Sequence, residues 1–458
     1  MPDDWHMARI ALIFKKGDVQ DCGNYRPISL LNFAYKVYAR ILLNRLKRAG
    51  AESRLWSSQY GFRSGRSTTH ALCLLRRKME EAWALRNGCL LALALDWQRA
   101  FGKIPPAALI SALRRFGLPT EFIAAITDIY TDRTFEVKDC GVTSGPACQQ
   151  TGISQGCPLS PFLFVIVMTV VMHEAVASLS TAAKRARGRG ALADILYADD
   201  TLLLGVSSDL LGEFLSAVQK AGGDYGLTLH QGKFQLLKVR TTSALHNPDG
   251  GEIESAASMM YLGSLVHDDG KAVLEITRRI GMCKSLFQKL SRFWAHASIG
   301  LERKPEVYQS LVVSKLMYGL AGLWLGIAEQ RRVDAFQNYC LRRLLRIPAA
   351  YISRVRNEEV LRRASQGQLS RLVLRNQLKL FGEGAGLPSS DPLCAATFQG
   401  DGLTPITTAF VRKVGRPRHT WTEQLLHEAA RLCGGVSKIP AAILDKSRWD
   451  TLLLTISE

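Results

Sequence analysis

Apolar residues recur along this chain with two periods, and the switches between them mark most of its elements. Residues 10–14 form a short apolar run that breaks at Lys15-Lys16-Gly17-Asp18, as a strand and turn would. After Pro27 the spacing lengthens. Leu31, Ala34, Tyr35, Tyr38, Ile41, Leu42 and Leu46 recur every three or four residues, which predicts a helix. A second helix is expected over residues 67–85, with Ser67, Thr68 or Thr69 as its N-cap. Leu90–Leu95 is continuously apolar and ends at Asp96; its length suits a buried strand, although Leu and Ala would equally suit a helix. Pro105-Pro106 opens a helix through Phe116, which Gly117-Leu118-Pro119 ends, and Ser160-Pro161 opens another through Val176.

Residues 195–204 carry the pattern most useful for function. Two apolar runs flank Tyr197-Ala198-Asp199-Asp200, which reads as strand, turn and strand. Side chains alternate along a strand, so only a turn lets adjacent acids approach one site. The basic stretch 184–189 before it reads as a loop. Beyond Gly270 the pattern becomes helical, over residues 273–294, 305–324 and 336–345, with arginines continuing through Arg375. Residues 382–405, rich in Gly, Pro and Ser, are expected to be a linker.

Composition narrows the class. The 458 residues carry 59 basic and 40 acidic side chains, a net charge of +19 that points toward a polyanion, most simply nucleic acid. Ten cysteines lie singly, with no metal-knuckle spacing, and are expected to be reduced thiols. The longest apolar run, residues 161–172, is too short to span a bilayer, so an intracellular protein with no membrane partner is expected, nuclear or cytoplasmic, with no clear targeting signal.

Four groups of residues carry candidate chemistry. Asp96, at the end of its apolar run, is a potential partner for Asp199 and Asp200, because two-metal phosphoryl transfer needs carboxylates from separate strands. A bare Asp-Asp says little: Asp3-Asp4 and Asp268-Asp269 lack flanking apolar strands. The loop from Gly152 to Pro161 contains Gln155 and Gly156, where glycine permits close backbone approach to a ligand. Lys15, Lys16 and Arg26 near a turn suit a triphosphate. Finally, Gln59-Tyr60-Gly61-Phe62-Arg63-Ser64-Gly65-Arg66 mixes aromatic and basic residues in a way compatible with nucleic-acid contact.

Taken in order, "IFKKGDVQDCGNYRPISLLN", "QYGFRSGRST", "LDWQRAF", "GISQGCPLSPFLF", "YADD", "GLTLHQGKF" and "YLGSLVHDDG" resemble the reverse transcriptases of non-LTR (LINE-type) retrotransposons. The resemblance covers roughly residues 8 to 270, with weaker similarity to about 350. It implies an α+β right-hand polymerase: fingers and the start of the palm in residues 1–95, and a palm of antiparallel sheet and helices in 96–270 with a finger insertion at 105–150. A helical thumb in 271–350 and a helical, basic C-terminal region in 351–458 would follow.

The implied activity is RNA-directed DNA polymerase, a nucleotidyltransferase acting on RNA template, DNA primer and dNTPs. Asp96 and Asp199 would hold two Mg2+ ions (Mn2+ able to substitute), with Asp200 beside them and the Trp97 backbone carbonyl as a further ligand. Phe101 matches the gate against a ribose 2′-hydroxyl. Gln155 and Gly156 would touch the template–nucleotide pair, and Lys15 or Lys16 with Arg26 the triphosphate. Lys233 stands where the family's lysine protonates pyrophosphate, and Tyr261-Leu262-Gly263 resembles the primer grip.

The chain departs from the family at Gly102, where Asp is usual, and around Lys233, where His230-Gln231-Gly232-Lys233-Phe234 replaces Asn-Pro-x-Lys-Thr. With the first finger motif so near Met1, the family's N-terminal extension and upstream endonuclease are expected to be absent. These departures motivate an alternative, a catalytically weakened retrotransposon relic that only binds nucleic acid.

Overall fold

The computed structural model describes residues 1–139, 141–296, 300, 302–400, 402–409, 411, 415 and 418–456. The chain divides into two compact units interleaved in sequence: Met1–Ser67, Leu91–Leu236 and Thr242–Ser255 form one, and Thr68–Leu90, Leu237–Thr241 and Ala256–Glu458 the other.

The first unit is built on two sheets. In one, β1 (Met7–Phe14) runs antiparallel to β2 (Tyr25–Leu30), with Ile13 opposite Arg26. Its other edge pairs in parallel with β4 (Thr134–Asp139), which also takes the short strands β5 (Val142–Thr143) and β6 (Ala147–Cys148). In the second sheet, β8 (Asp200–Gly205) lies between β3 (Leu90–Leu95) and β7 (Leu192–Tyr197), all antiparallel. The ambiguous apolar run at Leu90–Leu95 is therefore a strand, and its unbroken apolarity reflects burial of both faces. Helix Ser160–Ser178 packs on helices Ser208–Gly223 and Pro106–Phe116. It is long and apolar enough to cross a membrane by length and composition, yet Phe162 to Met172 are buried in this core. A helix apolar all round is one surrounded by protein.

The basic stretch before the hairpin is not a loop. It is the helix Thr181–Gly188, with the Ser180 hydroxyl accepting from Ala183 N–H at 3.2 Å as cap. Arg187 turns inward to buried Asp194 at 2.8 Å, and the same carboxylate accepts from Trp56 Nε1 at 2.6 Å and from the Ser58 hydroxyl. The guanidinium lies against Trp56 and Phe214, 5.6 and 4.9 Å from their ring centroids. A basic run read from sequence as a loop thus contains one arginine required by a buried acid.

The second unit is mostly helical around one hairpin. Its core gathers Ile276, Cys283, Phe287, Trp294, Tyr308, Val312, Leu316 and Leu320. Helix Ile327–Leu344 begins nine residues before the expected start, and the helix expected through residue 324 ends at Met317. The expected linker also holds structure. Helix Leu369–Ala385 runs into it, and Pro392–Thr397 is a helix whose Asp391 cap accepts from Leu393 N–H at 2.9 Å. Its Pro and Asp are helix-start chemistry rather than linker composition. In the basic turn Gly415-Arg416-Pro417-Arg418, Arg416 and Pro417 lie outside the described residues. Arg418 stacks on Trp83, 3.8 Å from its ring centroid, and donates to the Asp269 carbonyl at 2.8 Å. The nine described cysteines are all free thiols.

Removing one partner of a buried ion pair leaves the other uncompensated. Asp194→Ala should therefore lose about 3–5 kcal/mol of stability, whereas Arg185→Ala, exposed on the Arg187 helix, should melt with wild type in urea. Coincident curves for all three proteins would refute the pairing.

Candidate active site

Asp96 follows the last paired residue of β3, and Asp200 opens β8. Leu95 faces Thr201 and Tyr197 faces Asp200, so Asp96 and Asp200 come side by side one step beyond the β3–β8 ladder. Ala198 and Asp199 alone make the turn, with Ala198 at φ +57. Such a value strains a non-glycine residue and survives only where its surroundings impose it.

Two neighbours impose it. The side-chain oxygen of Gln59, a residue 1% exposed, accepts from the N–H of Ala198 at 2.9 Å and of Gly61 at 2.8 Å. Tyr60 N–H donates to the Leu196 carbonyl at 2.8 Å, and Leu196 N–H to the Ser58 carbonyl at 3.0 Å, laying residues 58–60 along β7. Gly61 is pressed so close that a Cβ there would lie 2.3 Å from Ala198 N. The Asp199 side is tied from below: Trp97 Nε1 donates to the Thr201 hydroxyl at 3.1 Å, which donates to the Asp199 carbonyl at 3.2 Å.

The three acids repel one another. Burial, then the charges of Asp199 and Asp96, push the Asp200 carboxyl up to about 6. Burial and Asp96 likewise raise Asp199, with Arg26 opposing. A divalent cation would reverse the local cost of ionising these carboxylates, but among the described residues the group of three whose ligand atoms all lie within 4.8 Å of one another is His267, Asp268 and Asp269. Lys233 already partners Asp96, its Nζ 3.0 Å from Oδ2, but both groups are substantially exposed and the pair is a weak one. Trp97 pairs with Leu229 through its neighbours: His230 N–H donates to the Asp96 carbonyl at 2.8 Å and Gln98 N–H to the Thr228 carbonyl at 2.9 Å. The Trp97 carbonyl stands outside that pairing.

Phe101 stacks on buried Phe164, ring centroids 4.2 Å apart, and meets Phe62 edge-on at 6.4 Å. Its carbonyl accepts from Ile153 N–H at 2.6 Å, and Gly152 N–H donates to Ile104 at 2.9 Å, so the glycine loop is fastened to the Asp96 segment. Gly152 is needed for this approach: a Cβ would stand 2.9 Å from Gly102 Cα. Gly102 itself has room, a Cβ meeting only Arg99 Cβ at 3.9 Å, and the turn forms without the family's Asp. The Gln155 carbonyl accepts from Ser29 N–H at 2.6 Å, and a Cβ on Gly156 would lie 2.3 Å from Ser29 O. That glycine serves loop-to-strand packing first.

Of the basic residues, Lys15 and Lys16 are exposed beside the β1–β2 turn, and Arg26 is close enough to Asp199 to oppose its raised pKa. Arg63 donates to the Trp56 and Ser57 carbonyls at 3.4 Å each, and Arg66 lies 5.6 Å from the Tyr60 ring centroid. Tyr261, Leu262 and Gly263 belong to the second unit, at a hairpin tip between Ser258–Tyr261 and Ser264–His267. Beside that hairpin, His267 Nδ1 meets Asp268 Oδ1 at 2.9 Å and Asp269 Oδ1 at 3.0 Å. The residue that sequence reading missed is Gln59. Its motif was visible, but nothing in a linear pattern shows which turn its amide reaches.

Residues 13–266 match the family model of the reverse transcriptases (RNA-dependent DNA polymerases). The chain belongs to that family. All the residues placed above fall inside the match except His267, Asp268 and Asp269 beside the hairpin. The chain is 29% identical over 372 residues to a probable RNA-directed DNA polymerase from transposon BS of Drosophila melanogaster, covering 76% of this chain and 39% of that one. It is 25% identical over 468 residues to a Pol polyprotein from a type-1 retrotransposable element R2 of Popillia japonica, covering 96% and 62%. These relatives support the non-LTR resemblance, and the chain spans less than two thirds of either. Among solved structures, apo telomerase from Candida Tropicalis is 13% identical, with a TM-score of 0.41 over 86% of this chain and 68% of that one.

Gly61→Ala should displace the turn at a cost of about 1–3 kcal/mol, read as a lower melting temperature together with weakened Mn2+ binding in calorimetry. Unchanged binding would show that Gly61 does not set the turn. The Asp200 carboxyl, raised from 3.8 to about 6, binds its proton more tightly folded than unfolded. Metal-free protein should therefore lose stability as pH rises through that window and no further above it. Asp200→Asn should melt higher than wild type at pH 7.5 in EDTA, with the gap closing toward the ordinary value of 3.8; a pH-independent gap would exclude this origin.

Proposed function

We propose that this chain is the RNA-directed DNA polymerase of a non-LTR retrotransposon, adding dNTPs to a primer 3′-hydroxyl on an RNA template. The observation that carries this is the convergence of Asp96, Asp199 and Asp200 at the ends of two antiparallel strands, where burial and then the neighbouring charges raise the proton affinity of Asp199 and Asp200. Asp96, Asp199, Asp200 and the Trp97 carbonyl would hold two Mg2+ ions. When bound, these supply the charge that activates the attacking hydroxyl and stabilises the leaving pyrophosphate.

The chain's own residues do the positioning. Gln59 and Gly61 keep Asp199 and Asp200 in place before substrate arrives, so no reorganisation is needed during reaction. Phe101, backed by Phe164, presents a ring that cannot retreat, which suits exclusion of a ribose 2′-hydroxyl. Lys15, Lys16 and Arg26 would hold the triphosphate, and the Gln155–Gly156 backbone the nascent base pair. Lys233 keeps an ammonium at Asp96 and would give its proton to pyrophosphate. In this reading the first unit supplies fingers and palm, and the helices after Gly270 the thumb and basic C-terminal region.

With poly(rA)/oligo(dT), dTTP and Mg2+, wild type should extend the primer and Asp199→Asn should fall by at least about a hundredfold. Phe101→Ala should raise UTP use relative to dTTP by roughly tenfold or more. Absence of extension by wild type, or equal extension by Asp199→Asn, would reject the reading. Salt-dependent RNA binding without extension would identify a relic instead.

A further inference from the structure

The second unit contains a turn as constrained as the catalytic one. Tyr261 faces Ser264 across the hairpin, so Leu262 and Gly263 alone make the connection. Both stand at positive φ, +44 and +72. Consecutive positive φ values suit a tight hairpin turn, and glycine adopts them freely. Leucine does so only against steric strain.

Three side chains of the same unit fasten this tip, two from the helix Val273–Lys289 and one from the residue that follows the helix ending at Met317. The Tyr318 hydroxyl donates to the Leu262 carbonyl at 2.7 Å. Arg278 and Arg279 donate to the Gly263 carbonyl at 3.0 and 2.6 Å. The Arg279 guanidinium also lies over the Tyr318 ring, 4.8 Å from its centroid. Both arginines are fixed by Glu275, at 2.8 Å from Arg278 Nε and 2.7 Å from Arg279 Nε. That carboxylate further accepts from the Ser264 hydroxyl and Leu265 N–H, each at 3.0 Å. Burial opposes its charge, but these hydrogen bonds outweigh burial and hold the carboxyl below its usual range.

A hairpin ladder sets register, and carbonyls at a tip ordinarily face water. Here both turn carbonyls are taken from one side. Among the described residues nothing accepts the N–H of Leu262 or Gly263, and Gly263 is exposed. Two backbone donors without acceptors at an exposed tip suit a phosphate oxygen.

We propose that Tyr318 is a positioning residue: its hydroxyl holds Leu262 in the left-handed conformation, so that the turn offers its N–H groups to a primer-strand phosphate. This rests on the reading of Tyr261-Leu262-Gly263 as the primer grip. Tyr318 acts through Leu262 and touches no reacting atom.

The test is steady-state primer extension by the full chain on poly(rA)/oligo(dT). Tyr318→Phe removes the hydroxyl and keeps the ring against Arg279. It should raise KM for primer–template about threefold to tenfold, the factor for one lost hydrogen bond, with kcat changed by less than about twofold. Leu262→Gly takes the positive φ without support, so adding Tyr318→Phe to Leu262→Gly should cost less than about twofold in KM. That non-additivity is a signature that general destabilisation would not produce. If wild type extends primers while Tyr318→Phe leaves KM unchanged, lowers kcat alone, or impairs the Leu262→Gly background as fully as wild type, the positioning role is overturned. If wild type does not extend primers, the polymerase reading fails and the inference falls with it.

Discussion

The Gln59 side-chain oxygen accepts two backbone N–H groups at once, and the geometry of the candidate site depends on that pair of bonds. Ala198 must stand at a strained φ for Asp199 and Asp200 to face the end of β3. Burial first, and then the charges of Asp199 and Asp96, raise the Asp200 carboxyl there. Strain and repulsion both favour opening the turn. Against them stand the buried amide, the contact with Gly61 that admits no side chain, and two apolar strands whose burial fixes their register. A site assembled this way is complete before any cation or substrate arrives. A bound cation would then remove repulsion rather than organise the loop.

The same economy governs the glycine loop. Gly152 abuts the Gly102 backbone and Gly156 the Ser29 carbonyl, so the segment around Gln155 is clamped between the Asp96 strand end and β2. These glycines are explained by protein-to-protein approach, before any ligand is considered. Phe101 gains rigidity from the same contacts, since its ring rests on Phe164 and its carbonyl holds Ile153. Motion of the loop would therefore move Phe101 with it.

Periodicity made the elements of the first unit legible because its strands and helices are bounded by residues that act locally. Pro106 and Gly117 bracket one helix, Ser160-Pro161 opens the core helix, and apolar runs flank the Asp pair. What sequence missed depends on partners far along the chain. Arg187 reads as part of a basic loop until Asp194 is brought to it, and Pro392 reads as linker until Asp391 caps the helix it starts. The carboxylates were found through spacing and resemblance, but Gln59 reaches across 139 residues to Ala198, a distance no local pattern encodes. Gly102 shows the converse. A departure that looked damaging in sequence leaves the turn intact, because the contact that matters there is made by Gly152.

A net charge of +19 overstates how much of this surface awaits a polyanion. Many arginines are turned inward to backbone carbonyls that helices and turns leave without partners. Arg240 donates to the carbonyls of Ala82, Leu85 and Arg86 at the end of the Thr68–Ala84 helix, Arg342 to those of Pro348 and Val355, and Arg77 to that of Gly322. Arg278 and Arg279 do the same at the Leu262–Gly263 turn. A guanidinium suits this task because it stays charged when buried and its fork reaches two acceptors at once. In the second unit, arginine density is therefore first a device for stapling loops to helices. Lys15, Lys16 and Arg26 are among the basic groups left exposed, and of these Arg26 is near enough to Asp199 to oppose the rise in its carboxyl pKa.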